Sequence, residues 1–434
     1  MKESRYNYFV PFNDRIVCFN GMSGKIFSVN KYGEFESVKK CLNNQGSSSS
    51  NLSDFLYDSK FLVDDLTDEV SLIKLKNRMS VFDNEYHIII NPTLECNFNC
   101  WYCYEKSEKG YMSVDIIERV KLNIKNAIIN KGVKKLVISW FGGEPLLYIK
   151  EVISPISVYA KELCEEVGGE FVNNATTNGY LLDKSNFKIL KSINLKSFQI
   201  TLDGNPTEHD RIRNANGIPS FGKIINNIIS VCTLSKDSTV ALRINYTNKT
   251  LKNDFEKTLS VIPENIRRQI RVNFQRVWQT RTQNSKERLM SGIKSVSGMG
   301  FIPDACGGFT IGKYYHCYAD RFNFAHVNYD GKVYRCTARD YSEKYVCGTL
   351  KKDGNIRWKS GINEQMFTSS NFDNEKCLEC KLLPICVGPC FQNYKDYKDG
   401  NIKSFCFVRN DDINVNDFII QHYLQTKASY HETK

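Results

Sequence analysis

The chain has 434 residues, 41% hydrophobic and 12% aromatic, with 59 Lys and Arg against 48 Asp and Glu, a net charge of +11. That length suits two or three domains with sizeable cores, and no run approaches the ~18 apolar residues that a membrane helix needs. Residues 1–15 show no continuous apolar stretch and no small-residue cleavage site, so no secretory signal is expected and a cytoplasmic protein is. In that reducing compartment the 16 Cys argue for metal ligation over disulfides. The basic excess can steer an acidic peptide or a nucleic acid. It serves solubility and compensation of anionic clusters equally well, and no nucleic-acid or membrane partner is expected.

Residues 1–82 read as a small α+β unit of winged-helix-like shape. Short strand-like runs at 8–11, 15–20 and 25–29 are separated by the turn signals Asn20-Gly21 and Ser23-Gly24. Helical stretches near 32–42 and 52–56 flank a flexible loop at 46–50, and a strand–turn–helix pattern covers 61–65 and 69–74. From residue 83 to 300 strands alternate with helices: strands at 86–91, 136–140, 170–177, 197–202, 239–246 and 269–275, helices at 115–129, 154–167, 184–192, 222–234 and 254–260. Such alternation predicts a parallel sheet, here a partial (β/α)6 barrel in an α/β fold. Ligands of such sheets bind beyond the carboxyl ends of the strands. From 301 to 434 the alternation stops, Cys, Gly, Asp and Asn become frequent, and helices are expected to be few until one at 411–423. A segment of that kind folds around metal.

The chemistry-bearing motifs follow the barrel strands. After the first comes CNFNCWYC, with Cys96, Cys100 and Cys103 spaced C-x3-C-x2-C. Three thiolates on one short loop can grip three corners of a [4Fe–4S] cube, which normally takes four Cys, and leave one iron open. Zinc sites instead pair C-x2-C with a second pair. After the second strand come Gly142, Gly143 and Glu144, where the glycines admit close backbone approach and the carboxylate suits an ammonium group. Asn178 follows the third strand, Thr201 and Asp203 end the fourth, and Arg243 and Asn245 share a face of the fifth.

The CNFNCWYC loop followed by FGGEPLL, TTNG and TLDG resembles the radical S-adenosylmethionine (SAM) superfamily. The resemblance implies that Cys96, Cys100 and Cys103 bind a [4Fe–4S] cluster whose open iron chelates the amino and carboxylate groups of S-adenosylmethionine. It implies an electron donor such as flavodoxin or ferredoxin, and reductive cleavage to a 5′-deoxyadenosyl radical that takes a hydrogen atom from the substrate. Tyr102 would lie near the adenine, Gly143 and Glu144 at the methionine amino group with Gly142 in the same loop, and Asn178, Thr201 and Asp203 near the ribose or methionine. Arg213 or Arg243 would meet the methionine carboxylate. An ordinary ion pair is the alternative for both arginines.

A second cysteine group, Cys317 and Cys336 as C-x13-G-x4-C, then Cys377, Cys380, Cys386 and Cys390 as C-x2-C-x5-C-x3-C, and finally Cys406, is similar to the seven-cysteine SPASM extension of peptide-modifying members. It implies two auxiliary [4Fe–4S] clusters, three clusters in all. Cys317, Cys336 and Cys390 would hold one, with Cys306, Cys347 or a substrate thiol in its fourth place. Cys377, Cys380, Cys386 and Cys406 would hold the other. A zinc ribbon is the competing reading of Cys377, Cys380, Cys386 and Cys390.

Three functions fit. The first is a maturase that installs a thioether or carbon–carbon cross-link in a ribosomally made precursor peptide, with residues 1–82 recognising its leader by strand addition. The second is an anaerobic sulfatase maturase forming formylglycine. In that family an acid directly follows the cysteine of the G-x4-C element, where this chain has Thr337 and, further on, Asp340. The third is an iron–sulfur electron-transfer or sensor protein, which leaves the open-site triplet and Glu144 unexplained. Asp304, Asp320 and Asp340 are the candidate proton acceptors, each equally readable as a solvated loop carboxylate.

Overall fold

The computed structural model describes residues 1–43, 50–252, 254–277, 279–280, 285–304, 308–368, 371–406 and 413–432. Cys306 and residues 46–49 of the expected loop lie outside them. Two compact units divide the chain: Met1–Asp83 with Cys306–Phe322 and Glu364–Lys434, and Asn84–Ala305 with Asn323–Asn363. The stretch 301–434, read from sequence as one domain, is therefore shared between them.

In the first unit β1 (Lys2–Glu3) pairs with β5 (Leu62–Val63), and β2 (Asn7–Phe12), β3 (Arg15–Asn20) and β4 (Ile26–Asn30) form an antiparallel meander. Helices Glu34–Leu42, Ser50–Asp58 and Glu69–Val81 complete the α+β pattern. Successive strand residues point to opposite faces, and both faces of the meander are apolar. Ile16 and Cys18 pack with Phe35, Val38, Leu42 and Leu56 of the first two helices. Val17 and Phe19 pack with Phe309, Ile385 and, from the helix Val415–Glu432, Phe418 and Ile419. The third helix starts at Asp68, whose carboxylate accepts the Ser71 N–H at 3.0 Å. It buries Ile73 with Tyr6, Tyr314, Phe372 and Leu383.

The second unit is built on six parallel strands in chain order, β6 (Glu85–Ile90), β7 (Lys135–Trp140), β8 (Glu170–Thr177), β9 (Leu195–Asp203), β10 (Thr239–Tyr246) and β11 (Ile270–Arg276). Helices Val114–Lys125, Ser154–Glu166, Lys184–Ser192, Phe221–Leu234 and Phe255–Leu259 connect them. The sheet continues beyond the six. The strand β12 (Ile302–Asp304) joins β11 in parallel, and β13 (Phe324–Val327) joins β6 in parallel. The strands β14 (Lys332–Tyr334), β15 (Gly348–Leu350) and β16 (Ile356–Trp358) follow β13 as an antiparallel meander. All four residues of β13 are buried, so this short run gains more as a sheet strand than in a loop. Asn173, buried in β8, is fully satisfied: its oxygen accepts Trp140 Nε1–H at 2.9 Å, and its amide donates to Ser157 Oγ and the Ile193 carbonyl. Among the described residues no helix is long and apolar enough to cross a membrane.

Candidate active site

The carboxyl ends of β6 to β10 form one rim, and the motifs meet there. The loop after β6 is closed at its neck, where Thr93 Oγ donates to the Gly110 carbonyl at 2.5 Å and the Met112 N–H to the Pro92 carbonyl at 2.8 Å. It carries Cys96 and Cys100, half-buried, and Cys103, exposed. Burial pushes the Cys96 thiol up to about 12, with the nearby Glu144 carboxylate adding to the shift. Thiolates in this loop need a bound cation to compensate them, so loading must release protons.

The Gly142-Gly143 turn lies against this loop. Both residues adopt positive φ, +78° and +39°. A Cβ on Gly142 would come within 2.5 Å of Asn91 Cγ, and one on Gly143 would overlap the Glu95 carbonyl. The Glu144 N–H donates to that carbonyl at 2.8 Å, and the Gly143 N–H to Glu105 Oε2 at 2.7 Å. Glu144 is fully buried. Its carboxylate accepts from the Leu146 N–H at 3.0 Å, Thr177 Oγ–H at 2.7 Å and the Asn178 N–H at 2.7 Å. It thereby ties the end of β7 to the end of β8. Burial raises its pKa, and these hydrogen bonds oppose the rise. Asn178 Nδ2 in turn donates to Asn97 Oδ1 at 2.8 Å, between Cys96 and Cys100.

A second network faces Tyr102. Its hydroxyl donates to Asp203 Oδ2 at 2.5 Å and accepts from Arg213 Nη1 at 2.8 Å and Asn245 Nδ2 at 3.1 Å. Arg243 Nε donates to Asn245 Oδ1 at 2.8 Å. Arg213 Nε lies 3.7 Å from Asp203 Oδ2 and is buried without a hydrogen bond. Burial raises the pKa of Asp203, and Arg213 works against it. Behind the pair, His209 Nδ1 accepts the Asp203 N–H at 3.3 Å while Nε2 meets Ser220 Oγ at 3.0 Å. Burial, aided by Arg213, pushes His209 down to about 3, so the ring is neutral and the Nε2–H tautomer fits both partners. Thr201 sits on β9 opposite Arg243. A cavity of about 240 Å³ opens beside this network, lined by Tyr102, Asp203, Ile212, Asn245 and Val277.

The remaining candidates divide between the units. Asp304 ends β12, opposite Asn273 of β11. Asp340 accepts from Ser342 Oγ at 2.8 Å. Asp320, in the other unit, is pinned by the backbone N–H groups of Cys317 at 2.9 Å and Phe391 at 3.1 Å. Cys377, Cys380, Cys386 and Cys406 form one electrostatic group: besides burial, the charges of the other thiols push up Cys386 (to about 12), and those of Cys380 and Cys406 push up Cys377 (to about 11). Cys336 and Cys347 belong to the barrel unit, and Cys336 raises the thiol of Cys347, after burial. Among the described residues no three His, Cys, Asp or Glu side chains are placed to hold a single metal ion. A cube spreads its ligands over several irons. Thiols alone on one loop, a glycine turn without side chains and a buried guanidinium with an unused N–H fit such a cluster and a zwitterionic ligand. Sequence reasoning missed Asn97, Glu105 and His209. The signal for the first two was their place inside and just beyond the cysteine triplet.

Residues 90–262 match the model of the Radical SAM superfamily. The barrel is a radical SAM domain. A Probable GTP 3′,8-cyclase of Methanococcus maripaludis is 35% identical over 149 residues, 33% of this chain and 45% of that protein. The chain thus spans less than half the length of that relative. A Cysteine-type anaerobic sulfatase-maturating enzyme of Clostridium novyi is 22% identical over 353 residues, 74% of this chain and 92% of that protein. Among solved structures, anSMEcpe with bound AdoMet and Cp18Cys peptide aligns with a TM-score of 0.56 at 16% identity, over 81% of this chain and 100% of that one. Streptococcus suis SuiB aligns with a TM-score of 0.50 at 16% identity, over 91% and 97%. These structural likenesses extend the radical SAM fold beyond the barrel into the cysteine-rich segments. The domain's chemistry calls for S-adenosylmethionine and a [4Fe–4S] cluster.

Proposed function

We propose that this protein removes a hydrogen atom from a ribosomally made precursor peptide and installs a thioether or carbon–carbon cross-link in it. The observation that carries the reading is the convergence on one rim of the Cys96–Cys103 loop, the glycine turn with Glu144, and the Tyr102–Asp203–Arg213 network. When bound, the cluster and S-adenosylmethionine supply the electron and the hydrogen-abstracting radical. The chain's own residues position them. Cys96, Cys100 and Cys103 hold the cluster, and the Gly142-Gly143 turn offers a backbone surface without side chains. Asn178 and Asn97 join that surface to the loop. Arg213 and Arg243 supply positive charge for a carboxylate, and the cavity beside Tyr102 takes the nucleoside end.

The cysteine-rich segments and the α+β unit support a peptide substrate. In this reading Cys377, Cys380, Cys386 and Cys406 hold one auxiliary [4Fe–4S] cluster. Cys317, Cys336 and Cys390 belong to another, with Cys306, Cys347 or a substrate thiol in its fourth place. The first residues present a leader-binding strand edge. A peptide is also present in the anSMEcpe structure. Sulfatase maturation is the second reading, favoured by the long match to the Clostridium novyi protein. Thr337 opposes it: it stands where that family has an acid, and its carbonyl accepts the Tyr104 hydroxyl at 2.6 Å. The test is anaerobic reconstitution with iron and sulfide, reduction, and detection of 5′-deoxyadenosine. The precursor is then sought by mass spectrometry among short peptides encoded beside the gene. Formation of formylglycine in a sulfatase peptide would select the second reading.

A further inference from the structure

Resting on the reading of a peptide substrate, we propose a docking site for an acidic stretch of that peptide carrying an aromatic side chain, on the unit that contains residues 1–83. The site is a cavity of about 320 Å³, within the size range of ligand pockets. Lys74, Arg78 and Phe82 line it from the third helix and its end, Phe367 from the segment after residue 363, and Phe391 and Tyr394 from the helix that follows Cys390. None of the residues that line it belongs to the β2–β3–β4 meander, and it requires no strand addition.

Three observations point to this ligand. The mouth is aromatic: Phe82 lies 5.3 Å from Phe322 and 5.7 Å from Phe367, ring centre to ring centre, and Phe322 lies 5.2 Å from Phe367. Rings at these separations accept a further ring in tilted or edge-on contact. Second, the helix that lines the cavity carries an exposed apolar stripe, which reaches the cavity at Phe82. Leu72, Leu75, Met79 and Phe82 recur at helical spacing with exposures of 40%, 54%, 66% and 53%. A helix whose opposite face already buries Ile73 has no folding use for this stripe. Third, the side of the cavity is cationic. Lys74 and Arg78 stand one turn apart and form no ion pair among the described residues. Two acids stand in the wall: Asp320 is already taken by the N–H groups of Cys317 and Phe391, and Asp373 is exposed. Carboxylates on the ligand complement this pair, in keeping with the chain's net charge of +11. A concave cavity suits an inserted side chain, whereas docking of a flavodoxin needs only a flat charged surface.

The test uses the full chain and a fluorescein-labelled twelve-residue peptide alternating Asp and Glu with Phe, read by anisotropy. Two control peptides carry Gln for the acids or Ser for Phe. The wild type should bind the probe at least tenfold more tightly than either control. A Lys74→Glu/Arg78→Glu variant and a Phe82→Ser/Phe367→Ser variant should each lose at least tenfold in affinity. S-adenosylmethionine cleavage should stay within twofold in both. Equal binding by the wild type and both variants, or equal binding of probe and controls, overturns the proposal. So does a result in which charge reversal slows reduction by flavodoxin while probe binding persists. Binding is measured without turnover. Absence of 5′-deoxyadenosine formation therefore strikes the proposed activity alone, and loss of the binding pattern strikes the docking site alone.

Discussion

Replacing Tyr102 by Phe removes one oxygen from the centre of the rim. That oxygen serves three partners, Asp203, Arg213 and Asn245. Hydrogen bonds to charged groups contribute about 1.5–3 kcal/mol each, and two of these partners are charged. Arg213 remains 3.7 Å from Asp203 after the change, and water reaches the half-buried ring, which recovers part of the loss. The net cost is about 2–4 kcal/mol. It falls on the closed position of the cysteine loop, since Tyr102 is the loop's link to β9 and β10. At 1.4 kcal/mol per decade, local opening should rise about 30- to 700-fold. Hydrogen exchange followed by mass spectrometry on cluster-free protein reads this directly, as faster exchange of the amides between residues 97 and 104. Exchange within threefold of wild type would refute the claim that the hydroxyl holds the loop.

Other substitutions test neighbouring parts. Gly143→Ala places a Cβ against the Glu95 carbonyl at a φ of +39°; the variant should lose iron at the first cluster while circular dichroism shows its secondary structure kept. Glu144→Gln turns an acceptor toward three donors into a mixed group, at a cost of about 1–3 kcal/mol. Its affinity for S-adenosylmethionine, measured by equilibrium dialysis on reconstituted enzyme, should fall about tenfold or more. His209 and His326 are both pushed down to about 3 by burial, His209 also by Arg213. A His with a depressed folded pKa contributes its full stability above the ordinary value near 6.5 and loses it as pH falls toward 3. Thermal midpoints of cluster-free protein should therefore decline from about pH 6.5 downward, and a His209→Asn/His326→Gln variant should show a flatter decline.

The barrel was legible because its six strands are β-branched runs separated by helices of the right period, so local pattern and topology agree. The joining of β13 to β6 was not. Four residues carry no period, and the partner strand lies more than two hundred residues earlier. For the same reason the sharing of 301–434 between two units was hidden: the contacts that decide it, such as Phe19 with Phe418 at 6.3 Å, are long-range. They also bear on deletion experiments, since removing residues 1–83 would strip one wall from the core around Phe418 and Ile419. Point substitutions are the cleaner test of leader recognition. At the rim, Cys, Gly-Gly-Glu and Asn-Gly stood out because they are unusual residues at the ends of apolar strands. Their roles were less legible. Glu144, expected at a ligand's amino group, already accepts three hydrogen bonds from its own chain. Asn97, Glu105 and His209 fix loops through one or two polar contacts each, which no periodicity announces.

The most direct measurement is electron paramagnetic resonance of anaerobically reconstituted, reduced protein with and without S-adenosylmethionine. It is compared with a Cys96→Ala/Cys100→Ala/Cys103→Ala variant, and metal content is determined for both. An open iron held by those three thiolates predicts a cluster signal that shifts when S-adenosylmethionine is added. The variant should lose about four irons, the shift and all 5′-deoxyadenosine. An unshifted signal, zinc in place of iron at the triplet, or an unchanged iron content in the variant would contradict it.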